Sequence, residues 1–167
     1  KTHDFLIHKE VDIDKTLLHD FNLAKSRLLE HEPIQYILGY AEFYGLKISV
    51  NPNVLIPRPE TEELVQWILK DYQSYSNPFS LIDMGTGSGC IPIALAKHLT
   101  NAEVMGLDIS ESALELAAAN SDLHHTNVKF IKDNILELKS LPEVDVIVSN
   151  PPYVKLKEGE KMSHNVL

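Results

Sequence analysis

From residue 79 onward, apolar segments of strand length alternate with segments of helix length, and this alternation leaves the chain few folds to adopt. Residues 80–84 form a short apolar strand that runs into glycines. Residues 90–98 and 111–120 carry helical patterns, and residues 104–108, 128–131 and 144–149 read as further strands. Units of this size build a parallel sheet with helices on its faces. Ligands on such sheets sit at the carboxyl ends of the strands. Each polar motif after residue 79 falls at one of those ends.

Upstream, Leu17, Phe21, Ala24 and Leu28 repeat at helical spacing until Pro33. Residues 1–32 therefore read as the tail of a small helical domain, whose apolar face must bury against something. Phe43, Tyr44, Leu46, Ile48 and Val50 partly alternate around Gly45, which suggests a hairpin. Pro57 and Pro59 bracket Arg58 and hold it extended. Thr61 can cap a following helix with an acidic first turn and a buried face of Leu64, Val65, Ile68 and Leu69. The expected organisation is a helical remnant over 1–32, a hairpin and linker over 33–78, and the main α/β domain over 79–167.

Composition narrows the function. A net charge of −9 and only two arginines, Arg27 and Arg58, disfavour a grip on duplex nucleic acid. The single cysteine, Cys90, rules out an intramolecular disulfide and a cysteine-rich zinc site, and fits a reducing cytoplasm. No apolar run approaches the ~20 residues of a membrane helix. The histidines show no metal-ligand spacing, and His124 and His125 read as helix-ending surface residues. No metal is expected.

The glycine loop is Asp83-Met84-Gly85-Thr86-Gly87-Ser88-Gly89. Its glycines let a ligand approach the backbone, and the next helix aims its N-terminus there. A dinucleotide fingerprint needs a glycine where Cys90 stands, and a phosphate loop needs Gly-Lys-Ser/Thr. Asp83 would repel a pyrophosphate but suits a cofactor carrying an amino group and a sulfonium. Asp108 ends the second strand about 20 residues on, where an acid can bind ribose hydroxyls; the plain alternative is a helix cap, a duty Ser110 could also fill. Asp133 and Asn134 follow the third strand, where an adenine amino group could bind; an ordinary loop is the competing reading.

The last strand ends in Asn150-Pro151-Pro152-Tyr153. The Asn150 side-chain oxygen and the Pro151 carbonyl are acceptors on a stiff backbone, able to take both N–H groups of one –NH₂. Tyr153 offers a stacking face. An amide or aryl amine nitrogen is a poor nucleophile, and two acceptors on its hydrogens favour charge building on the nitrogen while holding it in line. The alternative is a Pro-Pro strand terminator.

Together, residues 83–89, Asp108 and residues 150–153 resemble the class I S-adenosylmethionine-dependent amino-methyltransferases with an Asn-Pro-Pro-Tyr motif. Three further segments narrow the likeness: Pro33-Ile34-Gln35-Tyr36-Ile37-Leu38-Gly39, Phe43-Tyr44-Gly45 and Ile56-Pro57-Arg58-Pro59-Glu60-Thr61-Glu62. The chain resembles the release factor glutamine methyltransferases, the HemK or PrmC family, over about residues 17–167. The resemblance implies a Rossmann-like, mostly parallel sheet that lacks its C-terminal strands here. It also implies methylation of the glutamine amide in the Gly-Gly-Gln motif of class 1 peptide-chain release factors, leaving S-adenosylhomocysteine. On that likeness Asp83, Gly85, Thr86, Gly87, Ser88, Gly89, Asp108, Asp133, Asn134 and Asn150 face the cofactor. Asn150, Pro151, Pro152 and Tyr153 hold the glutamine, with Arg58, Glu60 and Thr61 lining the site. A surface salt bridge is the alternative for Arg58. The expected protein works as a cytoplasmic monomer, without nucleic acid or membrane as partner. Competing readings are a DNA adenine methyltransferase, a ribosomal-protein glutamine methyltransferase, a dehydrogenase and a non-catalytic nucleotide-binding module.

Overall fold

The computed structural model describes residues 14–138 and 141–151. Its first helix, α1 (Lys15–Leu29), starts at Asp14, whose side chain accepts from Thr16 N–H. The apolar residues Leu17, Phe21 and Leu28 do share one helix, but they stay more than half exposed. The expected burial of that face is thus not met there, and residues 1–13 lie outside the described residues. Arg27 Nε donates to Glu32 at 2.7 Å across the turn that follows. Next comes α2 (Ile34–Leu38), five residues closed by Gly39 at φ 76°.

Strands β1 (Tyr40–Phe43) and β2 (Leu46–Ser49) pair as an antiparallel hairpin. Its two-residue turn, Tyr44-Gly45, has positive φ at both positions, the twist that suits a tight hairpin. The Glu62 carboxylate accepts from Tyr44 N–H at 2.9 Å and ties this turn to α3 (Glu60–Tyr72).

The main sheet holds β3 (Phe79–Met84), β4 (Ala102–Asp108), β5 (Val128–Lys132) and β6 (Val146–Ser149), with α4 (Cys90–His98) and α5 (Glu111–Leu123) as crossovers. All its pairs are parallel, in the order β5-β4-β3-β6. The chain winds outward through β4 and β5, then returns to the other side of β3. Strand order therefore reverses between β3 and β6, and that crevice is where such sheets receive ligands. The expected strands and helices are all present, with ends shifted by a few residues.

Each strand alternates between the two sheet faces. Leu81 and Val104 pack with Ile91, Ile93 and Leu95 of α4, and the same core takes in Phe43, Ile48, Val54, Ile56 and Val65. The hairpin and α3 are thus built into this core. On the other face Ile82, Met84, Met105 and Leu107 form a smaller cluster. No helix among the described residues is long and apolar enough to cross a membrane.

Gly89, at φ 78°, lies at the N-cap of α4. A Cβ there would sit 3.0 Å from Ala117 Cβ and 3.3 Å from Ala117 Cα on α5. Gly89→Ala is expected to cost about 2 kcal/mol, from the left-handed backbone and the overlap with α5. Urea unfolding of the full-length protein checks this, and an unmoved midpoint would show that the two helices can part without loss.

Candidate active site

The carboxyl ends of β3, β4 and β6 carry the residues singled out by the sequence. Gly85 and Thr86 N–H groups both donate to Leu107 O, at 2.8 and 3.0 Å, which folds the loop back over the end of β4. Gly87, at φ 53°, donates its N–H to Asp108 Oδ2 at 2.8 Å. A Cβ at Gly85 or Gly87 would meet nothing within 4 Å, so the loop presents an open front.

Asp108 is bonded twice, since its Oδ1 also accepts from Ser110 N–H at 3.0 Å. It is not the cap of α5: Ser110 fills that role, accepting from Ala113 N–H. Each carboxylate oxygen has a second lone-pair direction for an incoming hydroxyl.

Asp83 lies on the α4 side of β3, only 1% exposed. Its register partner is Gly106, where a Cβ would stand 3.0 Å from Thr86 Oγ1. Among the described residues neither Asp83 carboxylate oxygen nor Thr86 Oγ1 makes a hydrogen bond of full geometry. Burial pushes the Asp83 carboxyl up to about 7; the Thr86 hydroxyl draws it down a little and the Asp108 charge adds to the rise. A buried carboxylate of this kind, behind an open loop, suits a ligand that brings a donor or a positive charge. The Cys90 thiol is pushed up to about 12 by burial, then by the Asp83 charge, so it is no nucleophile.

Ser88 is buried and held from behind by Asn120 of α5. The Asn120 amide donates to Ser88 O and to Ser49 O, both at 3.0 Å, and accepts from Ser49 N–H at 2.8 Å. One fully buried side chain thus links the glycine loop to β2. Sequence reasoning missed it. The signal was a polar residue in register with Ala113 and Ala117 on a buried stripe.

At the switch point β6 delivers Asn150, half-buried, and Ser149 Oγ donates to Met84 O at 3.0 Å. Asn150 Nδ2 donates to Thr61 Oγ1 at 2.9 Å. Thr61 is not the cap of α3, as its sequence position suggests: Pro59 takes the N-cap place without a side-chain bond. Thr61 falls one residue inside the helix, which turns its hydroxyl towards β6. One cleft is lined by Ile56, Arg58, Thr61, the glycine loop and Asn150. A larger cavity of about 910 Å³, beside Trp67 and His98, touches none of these strand ends.

Arg58 and Glu60 are exposed, and Arg58 forms no salt bridge among the described residues. Pro151 is exposed beside Asn150, whereas Pro152 and Tyr153 lie outside the described residues. Asp133 N–H donates to Asp108 O, which brings the end of β5 beside Asp108. The side chains of Asp133 and Asn134 accept from Asn134 and Leu136 N–H groups, as in an ordinary turn.

A family described as a methyltransferase domain matches residues 77–164, just over half of the chain. The chain belongs to that family. Release factor glutamine methyltransferases are similar along most of its length. That of Flavobacterium psychrophilum is 45% identical over 170 residues, covering 100% of this chain and 60% of the relative. That of Bacteroides thetaiotaomicron is 48% identical over 168 residues, covering 98% and 59%. The chain thus spans about three fifths of the length of these relatives. Among solved structures, the METTL16 methyltransferase domain aligns with a TM-score of 0.57 at 22% identity, over 77% of this chain and 56% of that one. The Pyrococcus abyssi tRNA (uracil-54, C5)-methyltransferase, solved with S-adenosyl-L-homocysteine, aligns at 0.53 and 23%, over 68% and 28%. These two likenesses bear on the fold, which is the Rossmann-like fold of class I methyltransferases.

Proposed function

We propose that these residues are the cofactor-binding and amide-holding part of an enzyme that transfers a methyl group from S-adenosylmethionine to a glutamine side-chain nitrogen, in the Gly-Gly-Gln motif of class 1 peptide-chain release factors. The observation that carries the reading is Asn150, brought by β6 to the switch point and into one cleft with the glycine loop. The names of the similar relatives support the substrate.

The residues present fit the cofactor. Asp83 and Thr86 offer unpaired buried oxygens, Gly85 and Gly87 an open front, and Asp108 free lone pairs for a ribose. When bound, S-adenosylmethionine supplies an activated methyl group on a sulfonium. The protein needs neither a covalent intermediate nor a base to create the leaving group. Its own work is to align and polarise the acceptor nitrogen. Asn150 Oδ1 and the Pro151 carbonyl accept from the substrate –NH₂, which favours positive charge building on that nitrogen. The extra proton leaves to water.

Within this reading the enzyme works as a cytoplasmic monomer on a protein, without nucleic acid. The net charge of −9 supports a protein acceptor, and the single buried cysteine fits a reducing compartment.

The test is transfer of labelled methyl by the full-length protein to a release factor and to unmethylated DNA. Label on the release factor that disappears when its Gly-Gly-Gln glutamine is replaced is the expected result. Label on DNA alone would overturn the substrate. Asp108→Ala is expected to weaken cofactor binding by about 1.5–3 kcal/mol, the scale of hydrogen bonds to a charged group. Calorimetry measures this, and an unchanged dissociation constant would leave Asp108 only its bonds to Gly87 and Ser110.

A further inference from the structure

Asn150 must present an acceptor to an amide nitrogen, yet its own side chain ends in one acceptor and one donor group. Turned end for end, it would offer N–H groups to the N–H groups of the substrate. The terminal torsion of asparagine is broad, so its own rotamer preference does not choose the right end. Contacts from other elements have to hold the productive orientation.

The structure points to Thr61. Its residue is only 8% exposed although polar, and it sits inside the first turn of α3 rather than at the cap. Its hydroxyl oxygen accepts from Asn150 Nδ2 at 2.9 Å, across 89 residues of sequence. Both residues line the cleft closed by the glycine loop. We infer that Thr61 is a positioning residue: its hydroxyl accepts from the Asn150 amide nitrogen, and this bond helps hold the amide in the orientation that leaves Oδ1 facing away from α3 as the acceptor for the substrate –NH₂. The inference rests on the amide-methylation reading above.

Two features of the sequence serve this bond. Pro59 starts α3 without a side-chain cap, so the Thr61 hydroxyl is not used at the helix end. Strand β6 ends at Ser149, directly before Asn150, and Pro151 cannot extend its ladder. The restraint comes from α3, which directly follows the segment that brings Arg58 to the same cleft.

The test uses the full-length protein with Thr61→Val, which keeps the shape and loses the hydroxyl, and Thr61→Ser, which keeps the hydroxyl. Thr61→Val is expected to lower kcat about 10- to 100-fold, the scale of a misplaced catalytic group. The S-adenosylmethionine dissociation constant and the melting temperature should stay close to wild type, and Thr61→Ser should recover most of kcat. The Asn150 side-chain amide signals in the NMR spectrum, assigned by their loss in Asn150→Asp, should shift in the valine variant and return in the serine variant. A valine variant with wild-type kcat and unmoved Asn150 signals would overturn the assignment. A wild-type protein inactive on release factors would sink the substrate reading instead, and the Asn150 signals would still decide for or against Thr61.

Discussion

Replacing Asn150 by alanine is expected to cut methyl transfer about 10²- to 10³-fold, the range seen when one preorganised polar contact to a developing charge is lost. Binding of S-adenosylmethionine should stay within about threefold, because on the proposed reading the hydrogen bonds to the cofactor come from the loop and Asp108 on the other strands, worth about 1.5–3 kcal/mol where charged. The split follows from the architecture. Asn150 is carried by β6, whereas the glycine loop follows β3 and Asp108 ends β4. Among the described strands only β6 lies on the far side of the switch point. The Asn150 truncation also leaves Thr61 Oγ1 without its partner at 2.9 Å. Thr61 is 8% exposed, so some loss of stability is expected as well. Melting temperature, calorimetric affinity and single-turnover transfer must therefore be measured on one sample. Loss of cofactor affinity in step with loss of transfer would move Asn150 from acceptor duty to cofactor duty.

Local pattern made most of this fold legible. The strand and helix periods after residue 79 depend on neighbours a few residues away, and the observed elements follow them: α4 is Cys90–His98, and the Tyr44-Gly45 break is a hairpin turn. The glycine loop and Asp108 stand at the ends of β3 and β4, where the local alternation of strand and helix places them. What escaped depends on long-range bonds. Asn120 meets Ser49 across 71 residues, and Glu62 meets Tyr44 across 18. Nothing in the local pattern of an alanine-rich helix announces such a bond. Thr61 reads as a cap in sequence because serine and threonine near a helix start are usual caps, but the helix starts two residues earlier, and that offset changes its partner. Helix α2, five residues long, is too short for a period to develop. The open face of α1 shows the reverse limit: an apolar stripe predicts that something covers it without saying what does.

Binding of S-adenosylmethionine is expected to strengthen by up to about tenfold per pH unit between pH 5 and 7, because Asp83 must give up a proton to meet a cation. In the free protein burial holds this carboxyl up to about 7. An unfolded chain releases the same proton near pH 4. Below that, both states keep the proton and Asp83 imposes no ionisation cost on folding. From about pH 4 to 7 the unfolded state ionises first, so the free protein loses up to about 1.4 kcal/mol per pH unit from this group. Above 7 the loss is complete. A cation against the open front of Gly85 and Gly87 reverses this pressure, since it favours the carboxylate through protein of low dielectric. Binding below pH 7 therefore releases a proton, and affinity rises with pH until Asp83 is already ionised. Asp83→Asn should bind more weakly at pH 7, show a nearly flat profile from 5 to 7, and unfold at higher urea than wild type near pH 7. Calorimetry in buffers of different ionisation enthalpy counts the released proton directly. A flat wild-type profile with no proton released would mean that the cofactor's charges settle elsewhere, and that the unpaired Asp83 oxygens are met by water alone.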